Sequence, residues 1–364
     1  MSARVFVIVG LLACAPAAGE VFFTGDLPRR DDRPPEVQPG LDTYYGVVDA
    51  PDGARLRTIV TRPAGTHGPL PAVFFVQWVG CDSVEFIGEG AFLDVFRGVA
   101  QRSGWAFLRV ERASTGDSIG PACSALDYDT ELAHYRLAFD AFVAGGHVDP
   151  ARVVILANSL GTTMAPLVAQ GKRVAGVITS SGGGLTYFER MVHFDREFLE
   201  RANPATLQPL LLEQVRFHVE YLLNGKTPEQ IAAEDPALGA VWARIPFTGD
   251  GTHYGRPYAY HHQAARKDLA AAWAAVDAPV LVLFNEYDQF ESVHGAEAIV
   301  TIVNAARPGT ASMRILPQLD HSFYRYADED AAFRAVRGTA IPDPAPALSE
   351  ILAFLRSVEA LVEP

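Results

Sequence analysis

The sequence predicts an α/β fold with a mostly parallel central sheet, helices on both faces and an inserted helical cap. Three observations carry this. Six short apolar runs alternate with helical patterns, while one long interval, 185–277, has helical stretches but no buried strand. One apolar run, Val153 to Leu156, stops on Ala157, Asn158, Ser159, Leu160 and Gly161 before helical spacing resumes at Met164, Leu167 and Val168. Strand and helix in alternation mean a sheet covered on both sides, and a structureless loop as long as 185–277 is foreign to a compact domain.

The first nineteen residues carry one positive charge at Arg4, an apolar stretch from Val5 to Ala13 and then small residues, the layout of a secretory signal too short to anchor in a bilayer. Leu11, Leu12, Ala13 and Cys14 resemble the lipobox of bacterial lipoprotein signals, in which the cysteine is lipidated; ordinary cleavage near Ala17 to Gly19 is the competing reading. The expected location is therefore periplasmic, secreted or lipid-anchored. With the leader removed, Cys81 and Cys123 remain, an even pair in an oxidising compartment.

Residues 20–42 are rich in Pro, Asp and Arg and read as an irregular lead-in. TYYGVVDA and ARLRTIVTRP flank the turn tripeptide Pro51, Asp52 and Gly53 and predict an antiparallel hairpin. The apolar runs follow at 72–77, 105–110, 152–157, 174–179, 279–284 and 311–316. The clearest helix between them has Asp129 as its expected N-cap, Leu132, Tyr135, Phe139, Phe142 and Val143 on one face, and Gly145 and Gly146 at its stop.

With 364 residues, 49 % of them hydrophobic and 20 % charged, the chain can bury one large core or two modest ones. Its net charge of −13 argues against nucleic acid or an anionic membrane surface as the main partner, since both reward clustered Lys and Arg. No Cys cluster, helical His pair or phosphate-binding glycine loop is present, so no metal and no cofactor is expected. His261 and His262 read as cap surface.

The small-x-Ser-x-Gly pattern at Ala157 to Gly161 fits a nucleophile elbow, in which small neighbours permit a turn sharp enough to present the serine. Together with the hairpin, the alternation and the late insertion, it resembles the α/β-hydrolase fold superfamily. The likeness is greatest to the branch of serine aminopeptidases, prolyl-oligopeptidase-like enzymes and related esterases, and it covers roughly residues 43–360. It implies a core of 43–184 and 278–364 with a cap at 185–277.

The resemblance also implies an acid after the strand that follows the cap and a histidine after the last strand. Asp288 in PVLVLFNEYDQF and His321 in ILPQLDHSF stand there, with Glu286 a rival acid. A serine hydroxyl needs an imidazole to take its proton and a carboxylate to orient that imidazole, so Ser159, Asp288 and His321 are the expected catalytic residues. Backbone N–H groups of Leu160 and of Trp78 or Val79 would form the oxyanion hole, although tryptophan stands where the family has glycine. Cys81 lies in that same loop and Cys123 in the loop after the neighbouring strand, so the two are expected to bridge. In GDSIG (116–120), Asp117 and Ser118 read as turn-forming.

The expected activity is hydrolysis of an ester or amide of a small to medium soluble substrate through an acyl-enzyme. The alternative is a binding protein on the same scaffold, which would keep the pocket without needing the three residues. Tyr254, Tyr258 and Tyr260, where the cap loses helical periodicity, are the expected pocket aromatics.

Overall fold

The apolar runs form strands, and those in the interior of the sheet are buried on both faces, whereas 311–316 is only partly covered, with Ile315 55 % exposed. A computed structural model describes residues 26–30, 33–334 and 340–362, so the leader and Cys14 lie outside the described residues. In chain order, the first half holds β1 (Leu41–Asp49), β2 (Arg55–Pro63), β3 (Leu70–Val76), α1 (Ala91–Arg102), β4 (Ala106–Val110), α2 (Tyr128–Ala144), β5 (Val148–Asn158), α3 (Gly161–Ala169) and β6 (Gly176–Ser180). The insertion contributes α4 (Tyr187–Ala202), α5 (Leu207–His218), α6 (Pro228–Glu234), α7 (Pro236–Gly239), the two-residue strands β7 (Thr248–Gly249), β8 (Thr252–His253) and β9 (Arg256–Pro257), α8 (Tyr258–Ala265) and α9 (Leu269–Ala274). The chain closes with β10 (Val280–Asn285), α10 (Val293–Ala306), β11 (Ala311–Leu316), β12 (Tyr324–Arg325), α11 (Glu329–Phe333), β13 (Ile341–Pro342) and α12 (Ala345–Val362).

Eight strands form one sheet in the order β1-β2-β4-β3-β5-β6-β10-β11. The hairpin β1/β2 and its junction with β4 are antiparallel, and every pair from β4 to β11 is parallel. Side chains alternate between two cores. Phe74, Val76, Ile155 and Ala157 face Tyr135, Phe139 and Met164 of α2 and α3, whereas Val73, Phe75, Val154 and Leu156 face Phe96 of α1 and Ile351 of α12. Burial on both faces is why these strands read as continuous apolar runs.

Four details differ from the sequence reading. The N-cap of α2 is Asp127, whose carboxylate accepts from the Thr130 N–H at 2.8 Å, and Asp129 lies inside the first turn. Its charge suits the helix N-terminus at either position, which is why spacing alone misplaced the cap. The insertion is not wholly helical, because β7, β8 and β9 form a small antiparallel meander. Its last helix, α9, packs on α3 and α10 and so belongs to the layer covering the sheet.

The fourth concerns the irregular lead-in, which is strapped to the sheet. The Glu36 carboxylate, fully buried, accepts from Arg109 Nη1 at 2.9 Å and from the Phe86 N–H at 2.5 Å. Arg29 spans Glu85 and Asp117 at 2.7 and 3.1 Å, which gives the polar GDSIG turn an anchoring role. Buried charges persist only when paired and hydrogen-bonded in this way.

Candidate active site

The turn after β5 is built around two backbone requirements. Ser159 adopts φ 52°, a left-handed conformation that costs a non-glycine residue energy and is held by its surroundings. Its N–H donates to the Ser180 carbonyl at 2.9 Å. Gly161 must be glycine because a Cβ there would lie 2.5 Å from both the Val76 and the Gln77 carbonyl oxygens at the end of β3. The turn therefore sits flush against the neighbouring strand, with the serine at the C-terminal edge of the sheet.

The two other residues expected from the sequence converge on it. His321, just beyond β11, places Nε2 at 3.0 Å from Ser159 Oγ. Its Nδ1 lies 2.8 and 2.9 Å from the two carboxylate oxygens of Asp288, which follows β10. Asp288 Oδ1 also accepts from the N–H groups of Phe290 and Glu291 at 2.9 and 3.0 Å, so the carboxylate is fixed before it meets the imidazole. The rival Glu286 turns away and accepts from the Gln318 N–H at 2.8 Å. With Nδ1–H donated to Asp288, Nε2 is left as the acceptor for the serine hydroxyl.

These groups open on a cavity of about 430 Å³, a size typical of ligand pockets. Ser159 is only 6 % exposed, so it stands on the floor of this cavity under the cap and not at an open turn. Trp78, Val79, Phe92, Tyr254 and Phe290 supply much of the wall. Of the three tyrosines expected to face substrate, Tyr254 alone does so. Tyr258 donates to Glu229 at 3.2 Å and packs edge-on against Trp242 inside the cap. Tyr260 is buried between the Tyr128 ring and the Arg256 guanidinium, which lies 4.4 Å from its centroid. Tyr258 and Tyr260 stand on the helix α8, whereas Tyr254 stands in the turn between β8 and β9, so the three do not share one wall.

A family model described as an alpha/beta hydrolase family matches residues 80–336. The chain belongs to the alpha/beta hydrolase family. Among solved structures, the Pyrococcus furiosus esterase Pf2001 superposes with TM-score 0.51 at 9 % identity, over 89 % of this chain and 96 % of the other. Proline iminopeptidase from Mycobacterium smegmatis does so with TM-score 0.52 at 13 % identity, over 88 % and 100 %. Est1E from Butyrivibrio proteoclasticus, solved with ferulic acid, does so with TM-score 0.51 at 15 % identity, over 81 % and 96 %. At these identities the likeness is one of fold. Comparison with curated proteins gives no match.

In this hydrolase the loop after β3 is clamped from behind. Cys81 and Cys123 form a disulfide, and Arg112 donates to the carbonyls of Trp78 and Gly80. Arg112 is in turn held by Glu131 at 2.6 Å, and Arg256 from the insertion donates to the same carboxylate. Two guanidiniums on one buried carboxylate thus tie the loop, α2 and the insertion together.

Two site residues escaped the sequence reading. Arg190 of α4 lines the cavity, and its Nε donates to Glu291 Oε1 at 2.7 Å. Glu291 stands three residues beyond Asp288, and that spacing after the acid was the available signal; Arg190 gave none, because its partner is 101 residues away. Burial raises the Glu291 carboxyl against the pull of Arg190. Burial also pulls the His321 imidazole down, but the charge and hydrogen bond of Asp288 and the charge of Glu291 outweigh it, leaving its pKa above 6.5. His261, read as cap surface, is fully buried: its Nε2–H donates to the His253 carbonyl at 2.8 Å and its Nδ1 accepts from the Tyr187 hydroxyl at 2.7 Å. Burial above all pushes its pKa down to about 3, so it serves the cap as a neutral ring. Among the described residues, no helix is long and apolar enough to cross a membrane.

Proposed function

We propose that the chain is an exported serine hydrolase cleaving an ester or amide bond of a small to medium soluble substrate through an acyl-enzyme. The observation that carries this reading is the continuous chain from Ser159 Oγ through His321 Nε2 at 3.0 Å to Asp288 at 2.8 Å, set at a left-handed turn on the floor of a cavity. Ser159 attacks the carbonyl carbon as its proton passes to His321. Asp288 holds the ring tautomer and stabilises the imidazolium, and His321 then returns the proton to the leaving group. A water, activated by the same imidazole, hydrolyses the acyl-serine. Export is proposed from the leader at 1–19 together with the Cys81–Cys123 disulfide, which suits an oxidising compartment.

The oxyanion would be met by the Leu160 N–H at the start of α3 and by one N–H of the loop after β3. Of Trp78 and Val79, Val79 is favoured. The Trp78 carbonyl is drawn to Arg112, which does not line the cavity, and in a trans peptide the next N–H points the opposite way.

A fluorophosphonate probe is expected to label wild-type protein at Ser159 and no other serine. Folded protein that stays unlabelled would favour a binding role for the scaffold. A second expectation follows from His321. Only its neutral form can accept the Ser159 proton, and its pKa is raised, so kcat/KM should rise with pH through an apparent pKa above 6.5. A pH profile already flat at pH 6 contradicts the proposed coupling to Asp288 and Glu291.

A further inference from the structure

A second cavity of about 600 Å³ adjoins the one over Ser159 and shares Phe247, Phe290 and Ser322 with it. Its remaining wall is strongly aromatic, from Phe194 and Phe198 of α4 and Phe333 of α11, and its carboxylate is Asp320. No Lys or Arg lines it among the described residues. Phe198 is 39 % exposed and Phe247 54 %, and they are the two aromatic rings among the exposed large apolar side chains of the described residues. Both line this chamber. Exposed rings gathered around a concavity are surface that a ligand would cover.

Its position relative to the imidazole sets what that ligand is. Asp320 and Ser322 flank His321 in the chain, and the Phe290 ring centroid lies 4.8 Å from that of His321. The chamber therefore opens on the His321 side of Ser159, whereas Trp78, Val79 and Phe92 line only the first cavity. During acylation the Ser159 Oγ to carbonyl-carbon bond forms and the bond from that carbon to the leaving oxygen breaks. The proton taken from Ser159 is handed by His321 Nε2 to that oxygen, so the leaving group must lie on the imidazole side.

We infer that this second chamber is a leaving-group subsite and that the preferred substrates are esters of bulky, uncharged aromatic alcohols, with Phe198, Phe247 and Phe333 determining specificity. This rests on the serine hydrolase reading. The Asp320 carboxylate in its wall sets the chamber against a leaving group bearing a carboxylate.

The test compares methyl butyrate, benzyl butyrate, 2-naphthylmethyl butyrate and 4-carboxybenzyl butyrate, which share one acyl group. The expected result is a kcat/KM that climbs from methyl to benzyl to naphthylmethyl and drops for the carboxybenzyl ester. Phe198→Ala and Phe333→Ala should each reduce the naphthylmethyl-to-methyl ratio by about tenfold, the discrimination an apolar contact of that size supplies. Leu212→Ala, at an exposed apolar position of α5, should leave the ratio where it was. Fluorophosphonate labelling of each preparation reports the nucleophile, and circular dichroism reports the fold separately. Labelled enzyme with no leaving-group preference, or with a preference that both phenylalanine variants retain, overturns the inference alone. Folded wild type that is not labelled overturns the hydrolase reading and the inference with it.

Discussion

Ser159→Ala is expected to lower kcat by about 10⁴- to 10⁶-fold while leaving the thermal midpoint nearly unchanged. The two parts have separate causes. In the proposed mechanism the hydroxyl forms the covalent bond, so nothing would replace it, and the residual rate would come from binding and the oxyanion donors alone. Alanine fits the same turn, although the left-handed φ of 52° remains a strained choice for any side chain. The Ser159 N–H still reaches the Ser180 carbonyl, so the backbone of the turn keeps its anchor. His321→Ala should match Ser159→Ala within an order of magnitude, because residues acting as one unit do not contribute additively. Steady-state kinetics on purified variants, with circular dichroism to confirm the fold, checks both. A Ser159→Ala protein retaining a tenth of the wild-type rate is incompatible with the assignment.

The second large effect is on stability. The Cys81–Cys123 bridge closes a separation of 42 residues, for which loop-closure entropy gives about 4 kcal/mol. Cys81→Ser with Cys123→Ser is expected to lower the unfolding free energy by that order and to reduce kcat as well. The activity loss follows from place: Cys81 is two residues beyond Val79, in the loop proposed to supply an oxyanion donor. Arg256 Nη1 lies 2.7 Å from Cys123 Sγ, so the bridge also packs under the insertion. Chemical denaturation and kinetics of the double variant would measure the two effects. An unchanged denaturation midpoint removes the stabilising role, and a lower midpoint with unchanged kcat removes the positioning role.

Much of the site was legible because its signals are local. Val153 to Leu156 is apolar on both faces, Ala157 and Gly161 are small at the right spacing, and Asp288 and His321 each stand just past an apolar run. Chain order supplied the rest, since a parallel sheet puts the ends of β5, β10 and β11 at one edge. The insertion was harder. Tyr254, Tyr258 and Tyr260 share a short segment, yet one lines the cavity, one packs within the cap and one is sandwiched against α2.

The sheet, its helical layers, the elbow and the positions of Ser159, Asp288 and His321 could be read from the residues alone, because periodicity and small-residue spacing act within a few residues. It took the docking of whole elements to bring Arg190 to Glu291, to bury Glu36 on Arg109 across 73 residues, and to make His261 a core ring. The same holds for the aromatic chamber beside His321, whose walls come from α4, from Phe247 just before β7, from Phe290 after β10 and from the segment after β11. Such pairings depend on how elements dock, and docking is set by the burial of whole faces against one another, for which a single side chain leaves no periodic trace.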